Sequence, residues 1–186
     1  MRHIQQLNVV IFTLILTASM NTVAEIKLDA KLEPFRAFIG TWQAPMNWGK
    51  DKGTVLDVAD WKVALNGKVL KTVHSVNDGD YGGESFIFWD KKTKSYKSFY
   101  FTTADFYTEA TIKLEGENKF SILEKVAASS GGLSSGISEV KSTCEMINGE
   151  LHMSTSYLKN DNWTKPETRR YTASKLEPKF KHEPMQ

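Results

Sequence analysis

Residues 55–76, VLDVADWKVALNGKVLKTVHSV, decide the fold class. Apolar side chains alternate with more polar neighbours on both sides of the Asn66-Gly67 pair, which is typical of two half-buried strands. The alternating positions before the pair are Val55, Ala59, Trp61, Val63 and Leu65. An Asn-Gly pair between two alternating runs is the strongest short signal for a β-hairpin, because both residues readily adopt positive φ. The stretch therefore predicts two antiparallel strands joined by a tight turn.

The same pattern continues along the chain. Turn residues recur at 77–80, 115–118 and 148–149, and alternating or aromatic-rich runs lie between them. We count about nine or ten strands with no helix between them, which indicates an antiparallel meander. The sequence therefore predicts an all-β protein, an antiparallel up-and-down barrel of about nine or ten strands, because closure removes unpaired strand edges. A two-sheet sandwich is the alternative.

One segment ahead of the strands has helical periodicity. Apolar residues recur every three or four positions in 28–39, and Gly40 ends the pattern. Pro34 limits the regular helix, because proline cannot donate a backbone hydrogen bond. We therefore predict a short N-terminal helix of about two turns over 34–39.

The first 24 residues read as a signal peptide. A short polar start is followed by an apolar run over 9–16, and the small residues Thr22-Val23-Ala24 form a cleavage pattern. The apolar run is about half as long as a membrane-spanning helix requires. We expect residues 1–24 to be removed, 25–176 to form the barrel domain and 177–186 to be a flexible C-terminal tail. The protein would then be periplasmic or secreted, with no membrane span.

Composition excludes several classes of protein. The 186 residues carry a formal net charge of +2, which argues against a nucleic-acid binder with its usual basic excess. The one cysteine, Cys144, excludes a disulfide scaffold and a zinc site with several cysteines. The chain also contains neither an H-x-H nor an HExxH pattern, so we predict no metal and no cofactor.

Two motifs near the ends of the predicted barrel suggest a superfamily. Gly40-Thr41-Trp42 opens the first strand, and Arg169-Arg170-Tyr171 lies in the last one. The triplet resembles the G-x-W signature of lipocalin-like (calycin) barrels. In that superfamily an arginine of the last strand packs across the tryptophan. The resemblance thus implies that Trp42 and either Arg169 or Arg170 close one end of the barrel.

The central part of the chain resembles a bacterial family of lipocalin-like proteins of unknown function. The resemblance runs from Asp60-Trp61 to Phe88-Trp89-Asp90 and continues through 100–109 and 139–143. It implies the fold and carries no established activity. The nitrobindin-like haem barrels are a related branch, with a longer G-x-W-x-G-x-G signature. This chain has Ala44 and Met46 at the later positions, so a haem site is not implied.

Aromatic and polar residues of the central strands are the candidates for an interior binding site. They are Trp61, His74, Trp89, Tyr100, Tyr107 and Glu109. We also expect the rings of 86–89, 96–101 and 106–107 to line up across neighbouring strands on each face of the sheet, and the rings of the inward face to form one apolar wall. His74 is either a polar group of the cavity or an ordinary strand histidine. Glu109 shares a face with Tyr107, and the opposite face is more apolar, which favours an outward Glu109 in a filled barrel.

Two other features have ordinary structural explanations. The segment NDGDYGGE, residues 77–84, could hold a cation or a polar substrate, but its glycines equally suit a hairpin turn. Cys144 alternates with Val140 and Met146 on one strand face, which indicates a core thiol.

The sequence favours an exported binding protein that holds a small, largely apolar ligand in the barrel. The alternative is a structural or envelope-stress protein with a filled barrel. An enzyme that uses a histidine or carboxylate at the barrel mouth is a third hypothesis, although the sequence contains no complete catalytic constellation.

Overall fold

The computed structural model describes residues 27–47, 53–127 and 136–181, and they form one closed antiparallel barrel. The strands are β1 (Gly40–Asn47), β2 (Thr54–Ala64), β3 (Val69–Val76), β4 (Tyr81–Asp90), β5 (Ser95–Thr102), β6 (Tyr107–Gly116), β7 (Lys119–Val126), β8 (Ile137–Ile147), β9 (Glu150–Lys159), β10 (Asn162–Trp163) and β11 (Glu167–Ala173). The predicted signal peptide, residues 1–24, lies outside the described residues.

Ten of these strands make the ring. Each strand from β1 to β9 pairs with the next, and β11 lies between β9 and β1. The two-residue β10 pairs with the end of β9. This closed ring confirms the predicted all-β barrel and excludes the two-sheet sandwich.

The two Asn-Gly pairs form hairpin turns, as predicted. Asn66 and Gly67 have φ values of 53° and 86° between β2 and β3, and Asn148 and Gly149 have φ values of 52° and 81° between β8 and β9. Asparagine and glycine tolerate this left-handed region, which matches the twist of the flanking strands. The segment NDGDYGGE also begins as a turn, with Asn77–Gly79 as one turn of 3₁₀ helix between β3 and β4.

A short N-terminal segment plugs one end of the barrel. In the predicted helical region, the six residues Glu33–Phe38 form a 3₁₀ helix, and the described part of the chain contains no α-helix. Phe35 and Phe38 are fully buried, and their ring centroids lie 5.1 and 4.8 Å from that of Phe120. Trp61 packs on the same rings, 6.0 Å from Phe38. We call Phe35, Phe38, Trp61 and Phe120 the floor.

The rings of 86–89, 96–101 and 106–107 pair across neighbouring strands, as predicted, but most of them lie on the outer face and do not form an apolar inner wall. Phe86 and Phe88 of β4 pack against Phe101 and Phe99 of β5, and Phe101 is 48% exposed. Strand alternation explains the result, because Ser85, Ile87, Ser98 and Tyr100 occupy the inward positions between them.

Residues 174–181 run back along the outside of the barrel. The backbone N–H of Lys179 donates to Ser75 Oγ over 2.9 Å, and Lys181 forms an ion pair with Asp80. The sequence predicted a flexible tail from residue 177. Its described part, 177–181, makes these contacts, and 182–186 lie outside the described residues.

No helix among the described residues is both long enough and apolar enough to cross a membrane.

Candidate functional site

The barrel encloses a cavity of about 660 Å³ above the floor. All ten strands of the ring contribute side chains to its wall. Trp61, Ile122 and Cys144 give it an apolar side, and tyrosines, hydroxyl residues and four ionisable groups line the rest. The ionisable groups are Asp57, His74, Glu124 and Arg169. A mostly apolar cavity with a few convergent polar groups is the usual form of a small-molecule site.

Asp57 of β2 is the centre of the polar network. It is 2% exposed, and its Oδ2 accepts hydrogen bonds from Tyr171 Oη at 2.8 Å and Arg169 Nη1 at 3.3 Å. His74 Nδ1 lies 3.2 Å from Oδ1. Burial alone would raise the pKa of the Asp57 carboxyl, but the hydrogen bonds and charges of these three partners lower the pKa below its ordinary value. Asp57 is therefore an ionised carboxylate whose cost of burial is offset by His74, Arg169 and Tyr171.

His74 connects Asp57 to two tyrosines. Its Nε2 lies 2.6 Å from Tyr100 Oη, and Tyr100 Oη lies 3.0 Å from Tyr81 Oη. Burial raises the pKa of both tyrosines above the ordinary value, so both hydroxyls stay protonated near neutral pH. The result is a hydrogen-bonded chain from carboxylate to imidazole to two phenols, in which every member lines the cavity.

The Gly82-Gly83 pair makes room for this chain. A Cβ on Gly83 would collide with the ring of Tyr100 and the carbonyl of Phe101. A Cβ on Gly82 would collide with the carbonyl of His74 and lie 2.9 Å from Cε1 of Phe180 in the tail. Gly83 thus leaves space for the Tyr100 ring inside the barrel, and Gly82 leaves space for the Phe180 ring outside it. This close approach explains the glycines of the NDGDYGGE segment.

Glu124 of β7 is the second carboxylate of the cavity. Thr108 Oγ1 donates to its Oε2 over 2.7 Å. Burial raises the pKa of the Glu124 carboxyl, and the Thr108 hydroxyl and the nearby His74 offset only part of that effect. Among the described residues, Thr108 is the one hydrogen-bond partner of Glu124, whereas Asp57 has three partners.

Cys144 lies in the cavity wall as a free thiol that is shielded from solvent. The residue is fully buried, and burial raises the pKa of its thiol to about 12. A thiol with this pKa is a poor nucleophile near neutral pH, because the thiolate is the reactive form. Among the described residues, no group of three or more His, Cys, Asp or Glu side chains is placed to hold a metal ion.

The structure brings three of the six predicted site residues together. Trp61, His74 and Tyr100 all line the cavity. The other three lie elsewhere, which corrects the interior placement of Trp89 and Tyr107 and agrees with the outward alternative for Glu109. Tyr107 is 40% exposed and stacks on Phe101 outside the barrel. Glu109 is also on the outer face, 4.0 Å from Lys97, because Thr108 and Ala110 take the inward positions of β6.

Trp89 is the third residue outside the cavity. It lies at the plugged end, with its ring 4.8 Å from that of Tyr96 and under the ammonium group of Lys31. Trp89 is not among the residues that line the cavity.

The three residues predicted to close the barrel are not arranged as the resemblance to lipocalin-like barrels implies. Trp42 is buried, and its Nε1 donates to the carbonyl of Phe38 over 2.9 Å. Arg169 points inward to Asp57, and Arg170 is exposed on the outer face. In the part of the chain that the structure describes, cations lie over the rings of Trp89 and Phe86, and no arginine stacks on Trp42.

Sequence reasoning missed Asp57, Glu124, Tyr157 and Tyr171. Two of them carried a usable signal. Asp57 has the same strand parity as Ala59 and Trp61, and Glu124 lies between Ile122 and Val126 on one face. An acidic residue on an apolar strand face indicates a buried polar site.

The fold resembles that of solved structures. One is the crystal structure of Rv2717c from M. tuberculosis, with a TM-score of 0.55 and 8% sequence identity over 80% of this chain and all of that one. At this identity the likeness concerns the fold alone. No protein-family model matches the chain, and no curated protein matches it either.

Proposed function

We propose that this protein is a lipocalin-like binding protein that holds a small, largely apolar ligand inside the barrel. The observation that carries the proposal is the cavity of about 660 Å³. Small-molecule sites enclose roughly 300–1,000 Å³, so this space suits one ligand. We also propose, from the sequence of residues 1–24 alone, that the protein is exported.

The distribution of polar groups supports binding. Affinity for an apolar body would come from burial against Trp61 and its neighbours, at about 25 cal/mol per Å² before ordering costs. The hydroxyls of Tyr81, Tyr100 and Tyr157 add polar groups to the wall that would orient the ligand. A filled structural barrel would leave no such space.

Titration with a neutral solvatochromic dye, Nile red, tests the proposal. We expect saturable binding at one dye per protein, with blue-shifted emission. Ala59 lines the cavity, so Ala59→Phe should weaken binding by taking up part of its space. Leu123 is 40% exposed on the outer face, and Leu123→Phe should bind normally. Wild-type protein that binds no dye, or an Ala59→Phe variant that binds as well as wild type, would reject an interior site.

A further inference from the structure

Glu124 is a carboxyl group of the cavity wall that forms no ion pair with any of the described residues. Its one hydrogen-bond partner among the described residues is the neutral hydroxyl of Thr108, which reaches Oε2. None of the ion pairs found in the described chain includes Glu124. An ionised carboxylate away from water is costly unless it is paired. Glu124 therefore either keeps a proton, in line with its raised pKa, or ionises beside a cation that enters the cavity.

The cavity's own basic groups do not supply that cation. His74 and Arg169 are the basic side chains of the cavity wall, and both bind Asp57. Asp57 takes a third hydrogen bond from Tyr171. The charge of Arg169 is thus balanced inside the protein, and the described cavity retains one carboxyl group, Glu124, without a basic partner.

The surroundings of Glu124 also suit a cation with an apolar body. Tyr81, Tyr100 and Tyr157 line the same cavity, and the faces of aromatic rings attract ammonium groups. Ile122, two positions along β7 on the same face, belongs to the apolar side near the floor. A ligand could therefore place a charged end at Glu124 and its apolar part toward Trp61.

We propose that the ligand is an apolar molecule with one ammonium group, and that Glu124 is its counter-ion. This inference rests on the proposed function and adds the chemical class of the ligand. It disfavours fatty acids, because an anionic head would meet Glu124 without gaining Arg169, which is already paired with Asp57.

Three ligands with the same ten-carbon chain test the charge preference. Decylamine, decan-1-ol and decanoate are titrated at pH 8 by calorimetry and by displacement of Nile red. A primary alkyl amine is cationic at this pH, as lysine is. We expect decylamine to bind at least about tenfold more tightly than either of the others, the range of a charge-assisted hydrogen bond.

Two variants locate the effect. Glu124→Gln should weaken decylamine by about tenfold or more and should leave decan-1-ol within about threefold. Glu109→Gln is the matched control, because this carboxylate is exposed on the outer face of the neighbouring strand. It should leave all three affinities unchanged.

The outcomes separate this inference from the proposed function. If decan-1-ol or decanoate displaces Nile red as well as decylamine does, the ammonium preference is wrong and interior binding stands. If neither Nile red nor any of the three ligands binds wild-type protein, the binding function itself fails. The wild-type comparison decides between these results even if Glu124→Gln does not fold.

Discussion

Gly83 determines where the Tyr100 ring lies. A methyl group at this position would occupy the space of that ring and of the Phe101 carbonyl. We expect Gly83→Ala to shift Tyr100 and to break its hydrogen bonds to His74 and Tyr81, at a cost of about 1–3 kcal/mol. Urea unfolding measures the free energy.

Gly116 provides the control for this substitution. The nearest atom to a Cβ there is the Cβ of Lys119 at 4.0 Å, an ordinary contact. Gly116→Ala should therefore leave the free energy of unfolding within about 0.5 kcal/mol of wild type. Equal stability of the two variants would show that Tyr100 does not depend on the space at Gly83.

At the scale of elements, the segment 174–181 covers the outer face of β2 and β3. Ser75 and Val58 point outward and are nevertheless 3% and 8% exposed. Lys179 N–H bonds to Ser75, and the Phe180 ring fits against Gly82. Because Gly82 precedes Gly83 and pairs with Ser75 beside His74, the tail supports the wall that carries the hydrogen-bonded chain.

Removal of the Phe180 ring should loosen this segment. We expect Phe180→Ala to increase hydrogen exchange of the Lys179 amide and of the β3–β4 turn, since the ring holds both in place. The free energy of unfolding should fall by about 1–2 kcal/mol, as for a half-buried ring. Lys175→Ala, an exposed change in the same segment, is the control. Unchanged exchange at Lys179 would mean that its bond to Ser75 holds the tail by itself.

Features that depend on neighbouring residues could be predicted from the sequence, and features that depend on residues far apart in the chain could not. The Asn66-Gly67 and Asn148-Gly149 turns depend on local backbone preferences, so the hairpins and the barrel were predictable. The direction of each ring depends on strand register, and one position decides whether Tyr107 or Thr108 faces inward. Contacts between Asp57 and Arg169, 112 residues apart, have no local signal at all.

For the whole molecule, the two cavity carboxylates should make opposite contributions to acid stability. Folding lowers the pKa of Asp57 from 3.8. Its stabilising contribution to the free energy of unfolding is therefore present above pH 3.8 and is lost as the pH falls through the pKa of the folded state. Folding raises the pKa of Glu124 from 4.5. Its stabilising contribution to the free energy of unfolding is therefore present below pH 4.5 and is lost as the pH rises through the pKa of the folded state.

Urea unfolding of two variants between pH 3 and pH 8 measures both effects. Asp57→Asn should cost about 3 kcal/mol near neutrality, because it leaves Arg169 without its partner, and less below pH 3.8. Glu124→Gln should match wild type below pH 4.5 and should become relatively more stable as the pH rises. Differences that do not vary with pH would show that neither carboxyl has a shifted pKa.

The barrel closes where its first strand, β1, pairs with its last strand, β11. Trp42 pairs with Ala173, and Ser174 Oγ donates to Gln43 Oε1 across 131 residues of chain. Bringing such distant segments together costs loop entropy, and folds rich in non-local pairs form slowly. A growing chain that has completed β9 still lacks the strand that carries Arg169 and Tyr171, and its β1 edge is open. Under the proposed function, the complete binding site forms only after β11, which carries Arg169 and Tyr171, has been synthesised.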